Sequence, residues 1–226
     1  MSLLSLLFPD VCPVCGGLLG TGEKEICIEC LAGLPFSYFW SWKGNVAEEL
    51  IGEHLQVNRV VSLMLYRSES KWKGAVHQFK YNGDVKLGKF MSQMLGRRLK
   101  ECDFGIMPDI IIPVPMHPVK EWKRGFNQAA VIAAELGKIM NIPVGEKLLV
   151  KKRYTFTQTA KDKNEREKSV KGAFGTIKDF NYTGKHILLV DDVLTTGATV
   201  VSCGNALYDS GISDLSIATL AYADIN

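Results

Sequence analysis

The stretches DIIIPVP (Asp109–Pro115), HILLVD (His186–Asp191) and LSIATLAY (Leu215–Tyr222) are apolar with almost no polar alternation. A strand with one wet face alternates with period two, so runs like these are buried on both faces. RVVSLMLYR, starting at Arg59, and EKLLV (Glu146–Val150) read as further strands. Between them, Leu87, Phe90, Met91, Met94 and Leu95 recur at spacings of three and four, as an amphipathic helix requires. Phe126–Met140, rich in alanine, and the residues after Thr196 read as two more helices. The alternation predicts an α/β fold, a parallel sheet with helices on both faces, whose ligands gather at the carboxyl ends of the strands.

At 226 residues, 46% hydrophobic, the chain suffices for one good core and a small appendage. The predicted division is 1–57 and 58–226. The first part has few periodic runs, so something other than burial must hold it. It contains Cys12, Cys15, Cys27 and Cys30, two CxxC pairs with eleven residues between them. Each pair sets two thiolates on one tight turn, and two turns close a tetrahedral site that suits a structural zinc. An iron centre and a redox dithiol are the other readings of this spacing. Cys102 and Cys203 are expected to be ordinary reduced residues. MSLLSLLF lacks a basic start and a cleavage site, and no run reaches the roughly 20 apolar residues of a membrane span. The sequence-based expectation is a cytoplasmic protein without a membrane span.

The net charge is only +3, but it is unevenly placed. Residues 1–60 hold seven Asp/Glu against three Lys/Arg, whereas 147–171 hold nine Lys/Arg against three Asp/Glu. Anionic ligands are therefore expected at the second segment. Lys151–Gly172 is long and polar enough to be a functional loop.

ILLVDDVLTTGAT (Ile187–Thr199) carries the chemistry. If the strand ends at Val190, Asp191 and Asp192 emerge at its carboxyl edge, and the loop feeds a helix N-terminus whose unpaired N–H groups favour phosphate. Gly197 permits close approach, and Thr195, Thr196 and Thr199 add hydroxyls. An Asp-Asp pair before Thr-Thr-Gly also suits a plain cap and turn. Carboxylates beside a phosphate cradle, however, call for hydroxyls or a divalent cation, and a ribose bearing a 5′-phosphate offers both hydroxyls and phosphate.

This stretch resembles the 5-phosphoribosyl-1-pyrophosphate (PRPP) motif of type I phosphoribosyltransferases. RGFNQ (Arg124–Gln128), FKYNGD (Phe79–Asp84), KGAF (Lys171–Phe174) and the paired cysteines together resemble the ComF family, amidophosphoribosyltransferase-like proteins associated with competence for DNA uptake. The resemblance implies a type I phosphoribosyltransferase fold with an N-terminal zinc ribbon. It implies that Asp191 and Asp192 hold the ribose hydroxyls and act catalytically, and that Thr195, Thr196, Gly197, Ala198 and Thr199 hold the 5′-phosphate. The loop after DIIIPVP, which leads to Arg124, would bind pyrophosphate with magnesium, and Lys80 would contribute to PRPP binding. Tyr154–Gly172 would close over the ligand, with Lys161, Lys163, Arg166 and Lys168 as its cations. The chain departs from the family pattern at Ser169, where asparagine is frequent, and at Lys120 and Lys123, where arginine is common; lysine keeps charge but loses the bidentate fork. Of the four histidines only His117 falls near the presumed site, and His186 reads as structural. Two functions are open: transfer of the phosphoribosyl group to an unknown nucleophile, or a non-catalytic PRPP-binding module that acts on single-stranded DNA or on DNA-uptake proteins.

Overall fold

The computed structural model describes residues 10–67, 70–72, 74–75, 78–79, 85–151 and 172–223. Four strands, β1 (Arg59–Tyr66), β2 (Ile110–Pro113), β5 (His186–Leu194) and β6 (Asp214–Ala223), form one parallel sheet in the order β1-β6-β5-β2. The expected parallel α/β sheet is therefore present. Its central strands, β5 and β6, carry the long apolar runs Ile187–Val190 and Leu215–Ala221, interrupted in β6 only by the buried Ser216 and Thr219, because both of their faces are covered.

Alternate residues of the strands enter two cores. Val61, Leu63, Ile111, Leu188, Val190 and Ala218 face α3 (Val85–Glu101) and α5 (Gln128–Met140), which supply Leu87, Met91, Leu95, Ile132 and Leu136. Val60, Ile112, Ile187, Leu189 and Ile217 face α6 (Ala198–Tyr208) and α2 (Val46–Gly52), which supply Val200, Cys203, Leu207, Ala47 and Ile51. A buried leucine or isoleucine is worth about 1.5–3 kcal/mol of transfer free energy, so these two layers dominate the stability of the fold.

EKLLV does not join the parallel sheet. Only Leu149–Lys151 is extended (β3), and it pairs antiparallel with Phe174–Thr176 (β4) in a separate two-stranded ladder. The chain that runs beside β2 is instead Pro143–Gly145: Ile111 N donates to Pro143 O at 2.9 Å, Gly145 N donates to Ile111 O at 2.8 Å, and Ile111 bridges Val144 in parallel. The predicted helix at Phe126 begins two residues later, at Gln128, behind a short separate helix α4 (Pro118–Arg124).

The N-terminal segment is tied to the sheet by one buried cation. Arg59, 1% exposed, donates to Glu48 Oε1 at 2.8 Å and to three carbonyls: Phe39 and Trp42, each at 2.7 Å, and Asp103 at 3.0 Å. Pro35–Ser37 lies along the outer edge of β1, with Leu65 N donating to Pro35 O and Ser37 N to Leu63 O. No helix among the described residues is long and apolar enough to cross a membrane.

Candidate functional site

β5 runs past Val190 to Leu194, so Asp191 and Asp192 belong to the last turns of the strand and not to the loop after it; Asp191 is in register with Thr219 of β6. Both aspartates are half-buried. Asp191 Oδ1 accepts the Asp192 N–H at 2.8 Å, and Asp192 Oδ1 accepts the Val193 N–H at 2.7 Å. Each carboxylate is thereby pinned to the backbone that carries it. Thr195, Thr196 and Gly197 then turn the chain into α6, and these residues with Asp191, Ala198, Thr199 and Val200 line an open recess. Gly197 has φ 76°, a left-handed conformation that a residue with a Cβ adopts only at a cost. It stands at the N-cap of α6 and gives no side-chain cap, so the amides of the first turn face the recess with the positive end of the helix dipole. Cys203, behind this turn, is inert: burial raises its thiol well above the ordinary range, and the charge of Asp191 adds to the effect.

A second loop lies against the same end of β5. Val114 N donates to Val190 O at 2.8 Å, and Asn127 clamps the loop by donating from Nδ2 to Val114 O at 3.0 Å while its Oδ1 caps α5 at Ala129 N. Arg124 donates to Gln128 Oε1 at 3.2 Å, and Gln128 is 1% exposed. RGFNQ is thus a hinge of fixed shape: Gly125 (φ 80°) ends α4, Asn127 starts α5 and Gln128 holds the arginine. Phe126 packs into the core beside Phe79, with ring centroids 6.1 Å apart. His117 caps α4, its Nδ1 accepting the Val119 N–H at 3.2 Å. His186 is structural as read: Nδ1 pairs with Ile106 O and Nε2 with Ser216 Oγ.

Sequence reasoning passed over α4. None of its residues is buried, Trp122 is 84% exposed and Val119 is exposed beside it, in the company of Lys120 and Lys123. The signal available was Trp122 set among Lys120, Glu121, Lys123 and Arg124, with Gly125 ending the helix one turn later. Lys80 and residues 152–171, which include the loop cations Lys161, Lys163, Arg166 and Lys168, lie outside the described residues; the β3–β4 ladder brackets that loop at both ends.

The four N-terminal cysteines meet. Cys12 and Cys15 sit on a tight turn closed by Gly16 N to Cys12 O and Cys12 N to Gly17 O, and Cys27 and Cys30 sit at the start of α1 (Ile28–Ala32). Their sulfurs all lie within 4.8 Å of one another, and Cys15 and Cys27 are 3.8 Å apart. Zinc–thiolate bonds of about 2.3 Å in a tetrahedron place sulfurs about 3.8 Å apart, so the set fits that ion. Glu23 locks the intervening loop, accepting from Gly20 N and Ile28 N at 2.6 Å each. Burial pushes the Cys12 thiol up, but the backbone N–H groups of Cys27, Cys15 and Val14 outweigh it and bring the thiol down to about 6, the thiolate a metal requires; burial and its neighbouring thiols push Cys30 up to about 12.

Residues 96–225 match the family model described as the phosphoribosyl transferase domain. The chain belongs to that family. The resemblance to ComF proteins is also borne out. Competence protein ComFC of Bacillus subtilis (strain 168) is 28% identical over 218 residues, 93% of this chain and 76% of its own. DNA utilization protein YhgH of Escherichia coli (strain K12) is 26% identical over 213 residues, 92% and 88%. Competence protein F of Haemophilus influenzae is 28% identical over 152 residues, 66% of each chain. Among solved structures, the glutamine PRPP amidotransferase of B. subtilis, complexed with ADP and GMP, aligns with a TM-score of 0.44 at 17% identity, over 64% of this chain and 30% of that one. The purine phosphoribosyltransferase of Pyrococcus horikoshii aligns with a TM-score of 0.38 at 22% identity, over 61% and 73%.

Proposed function

We propose that this chain binds PRPP at the turn from β5 to α6 and transfers its phosphoribosyl group to a nucleophile, in the handling of DNA taken up by the cell. The observation that carries the reading is the uncapped N-terminus of α6, entered through left-handed Gly197 and preceded by two half-buried aspartates on a central parallel strand. Helix amides suit the 5′-phosphate, and the carboxylates suit the ribose hydroxyls. In the reaction the nucleophile's lone pair forms a bond to C1, the C1–O bond breaks, and pyrophosphate leaves with that electron pair; the nucleophile sheds its proton. Asp191 and Asp192 lie where positive charge develops on the ribose, and the loop that ends in Arg124 lies where the leaving group's charge collects. Asp191 and Asp192 would be the residues nearest a magnesium ion brought in with PRPP, which would supply charge neutralisation of the leaving pyrophosphate. Cys12, Cys15, Cys27 and Cys30 would hold one structural zinc, in a module within residues 1–57 attached to the transferase domain of 58–226. Four cysteines given to a metal and two buried thiols, Cys102 and Cys203, suit the reducing cytoplasm.

Titration calorimetry with PRPP and magnesium tests the site. Asp191→Asn with Asp192→Asn should remove binding, since charge-assisted bonds contribute about 1.5–3 kcal/mol each. A folded double variant of unchanged affinity refutes the ribose assignment. Pyrophosphate release against bases, ammonia and glutamine then identifies the nucleophile.

The exposed α4 favours a second reading, a module that binds single-stranded DNA without turnover. An aromatic side chain in water, flanked by lysines, is a platform for base stacking and phosphate contact. Anisotropy of a labelled oligothymidylate should weaken with Trp122→Ala by about 1–3 kcal/mol. Equal affinity of the variant removes this reading.

A further inference from the structure

The turn from β5 to α6 is supported from beneath by a residue distant in sequence. Ile51 of α2 is fully buried, and a Cβ placed on Gly197 would overlap its Cδ1. Leu55 stands in the same relation to Gly204, about two helical turns further along α6. α2 does not ride on the turn, because it has its own anchors. Asn45 Oδ1 accepts from Ala47 N and Glu48 N at 3.1 Å each, and its Nδ2 donates to Val60 O of β1 at 3.1 Å. Glu48 takes the Arg59 guanidinium and the Val60 N–H. A β-branched side chain on a helix is held in one χ1 rotamer, so Ile51 presents a stiff surface at a fixed height above the sheet.

The direction of the first-turn amides of α6 depends on where Gly197 sits, and Gly197 sits on Ile51. We propose that Ile51 is a positioning residue for the anion-binding turn, so that the phosphoribosyl site extends to residues before 58 and outside the family match of 96–225. The ligand half of this inference rests on the proposed function; the positioning half does not.

Matched variants separate the two. Ile51→Val deletes the methyl that meets Gly197, and Leu55→Val withdraws both δ-methyls from Gly204, but only the first lies beneath the turn. In the full chain, hydrogen exchange of the Val201 amide, which donates to Gly197 O at 2.9 Å, should rise in Ile51→Val and stay at the wild-type rate in Leu55→Val. Ribose 5-phosphate, titrated as the probe, should bind the first variant roughly fivefold more weakly, within the range of effects carried through packing, and the second as it binds the wild type. Ile51→Ala should enlarge both effects. Wild-type exchange and affinity in both Ile51 variants, or equal loosening of the Val201 amide by Leu55→Val, overturns the proposal. If the wild type does not bind ribose 5-phosphate while Ile51→Val still loosens the Val201 amide, the positioning stands and the ligand assignment falls.

Discussion

Arg59→Met tests the joint between the N-terminal segment and the sheet. Methionine keeps the apolar stem of arginine as far as the position of Nε and lacks the guanidinium, so the change removes the charge and its hydrogen bonds while the stem's packing is kept. It strands the Glu48 carboxylate, whose side chain is 11% exposed, and deprives the carbonyls of Phe39, Trp42 and Asp103 of their donors. Removing one partner of a buried pair costs about 3–5 kcal/mol, and the carbonyls raise the figure toward the upper end unless water reaches them. Taking about 4 kcal/mol and a urea m-value of about 2 kcal/mol/M gives a midpoint shift of about 2 M. The assay is urea unfolding at neutral pH, followed by far-UV circular dichroism and by the fluorescence of the four tryptophans, of which Trp40 and Trp42 lie beside the joint. Glu48→Gln added to Arg59→Met should recover about 1–2 kcal/mol, because the orphaned charge is then gone. A loss below about 1 kcal/mol in Arg59→Met, or no recovery in the double variant, refutes the view that a desolvated ion pair holds the joint.

Gly197→Ala should cost about 1–2 kcal/mol for the left-handed backbone alone, a fall in Tm of about 2–8 °C, and should abolish PRPP binding in calorimetry, since the turn must move off Ile51. Purified protein should carry about one zinc per chain by metal analysis; chelation should raise hydrogen exchange across residues 10–44 while β5 and β6 keep their protection. Burial holds the His186 pKa below its ordinary 6.5, so below that pH the unfolded chain takes up a proton that the native chain refuses. Stability should therefore fall as pH drops from about 6.5. His186→Gln should flatten that slope in urea titrations at pH 7.5 and 5.5.

The central strands were legible because two-sided burial leaves no polar register to misread; HILLVD and LSIATLAY can be little else. β3 was misassigned for the converse reason. Leu148–Val150 has the apolarity of a core strand, but its partner is fixed by Phe174–Thr176, far along the chain, while the place beside β2 goes to a segment that begins with Pro143, a residue that argues against strand. The cysteine cluster was readable since two CxxC turns define their own geometry. The strand was ended at Val190, with Asp191 and Asp192 emerging at its carboxyl edge; in a parallel sheet the ladder runs on through them to Leu194. Ile51 left no trace, for VAEELIG is too short to show a stripe and its contact is with a glycine.

The segment Pro35–Ser37 also has a bearing on solubility. β1 is an outermost strand, RVVSLMLY, eight residues long, carrying no charge between Val60 and Tyr66 and fully buried over its first six positions. Its outward backbone groups are occupied at Leu63 and Leu65 by Ser37 and Pro35, and the Ser37 hydroxyl takes the Ser62 carbonyl. A chain begun at residue 58 would uncover that row of donors and acceptors along a flat apolar edge, a template for pairing with another copy. The N-terminal segment therefore acts as a guard against edge-to-edge assembly, and its removal should show first as aggregation on expression, ahead of any loss of ligand affinity.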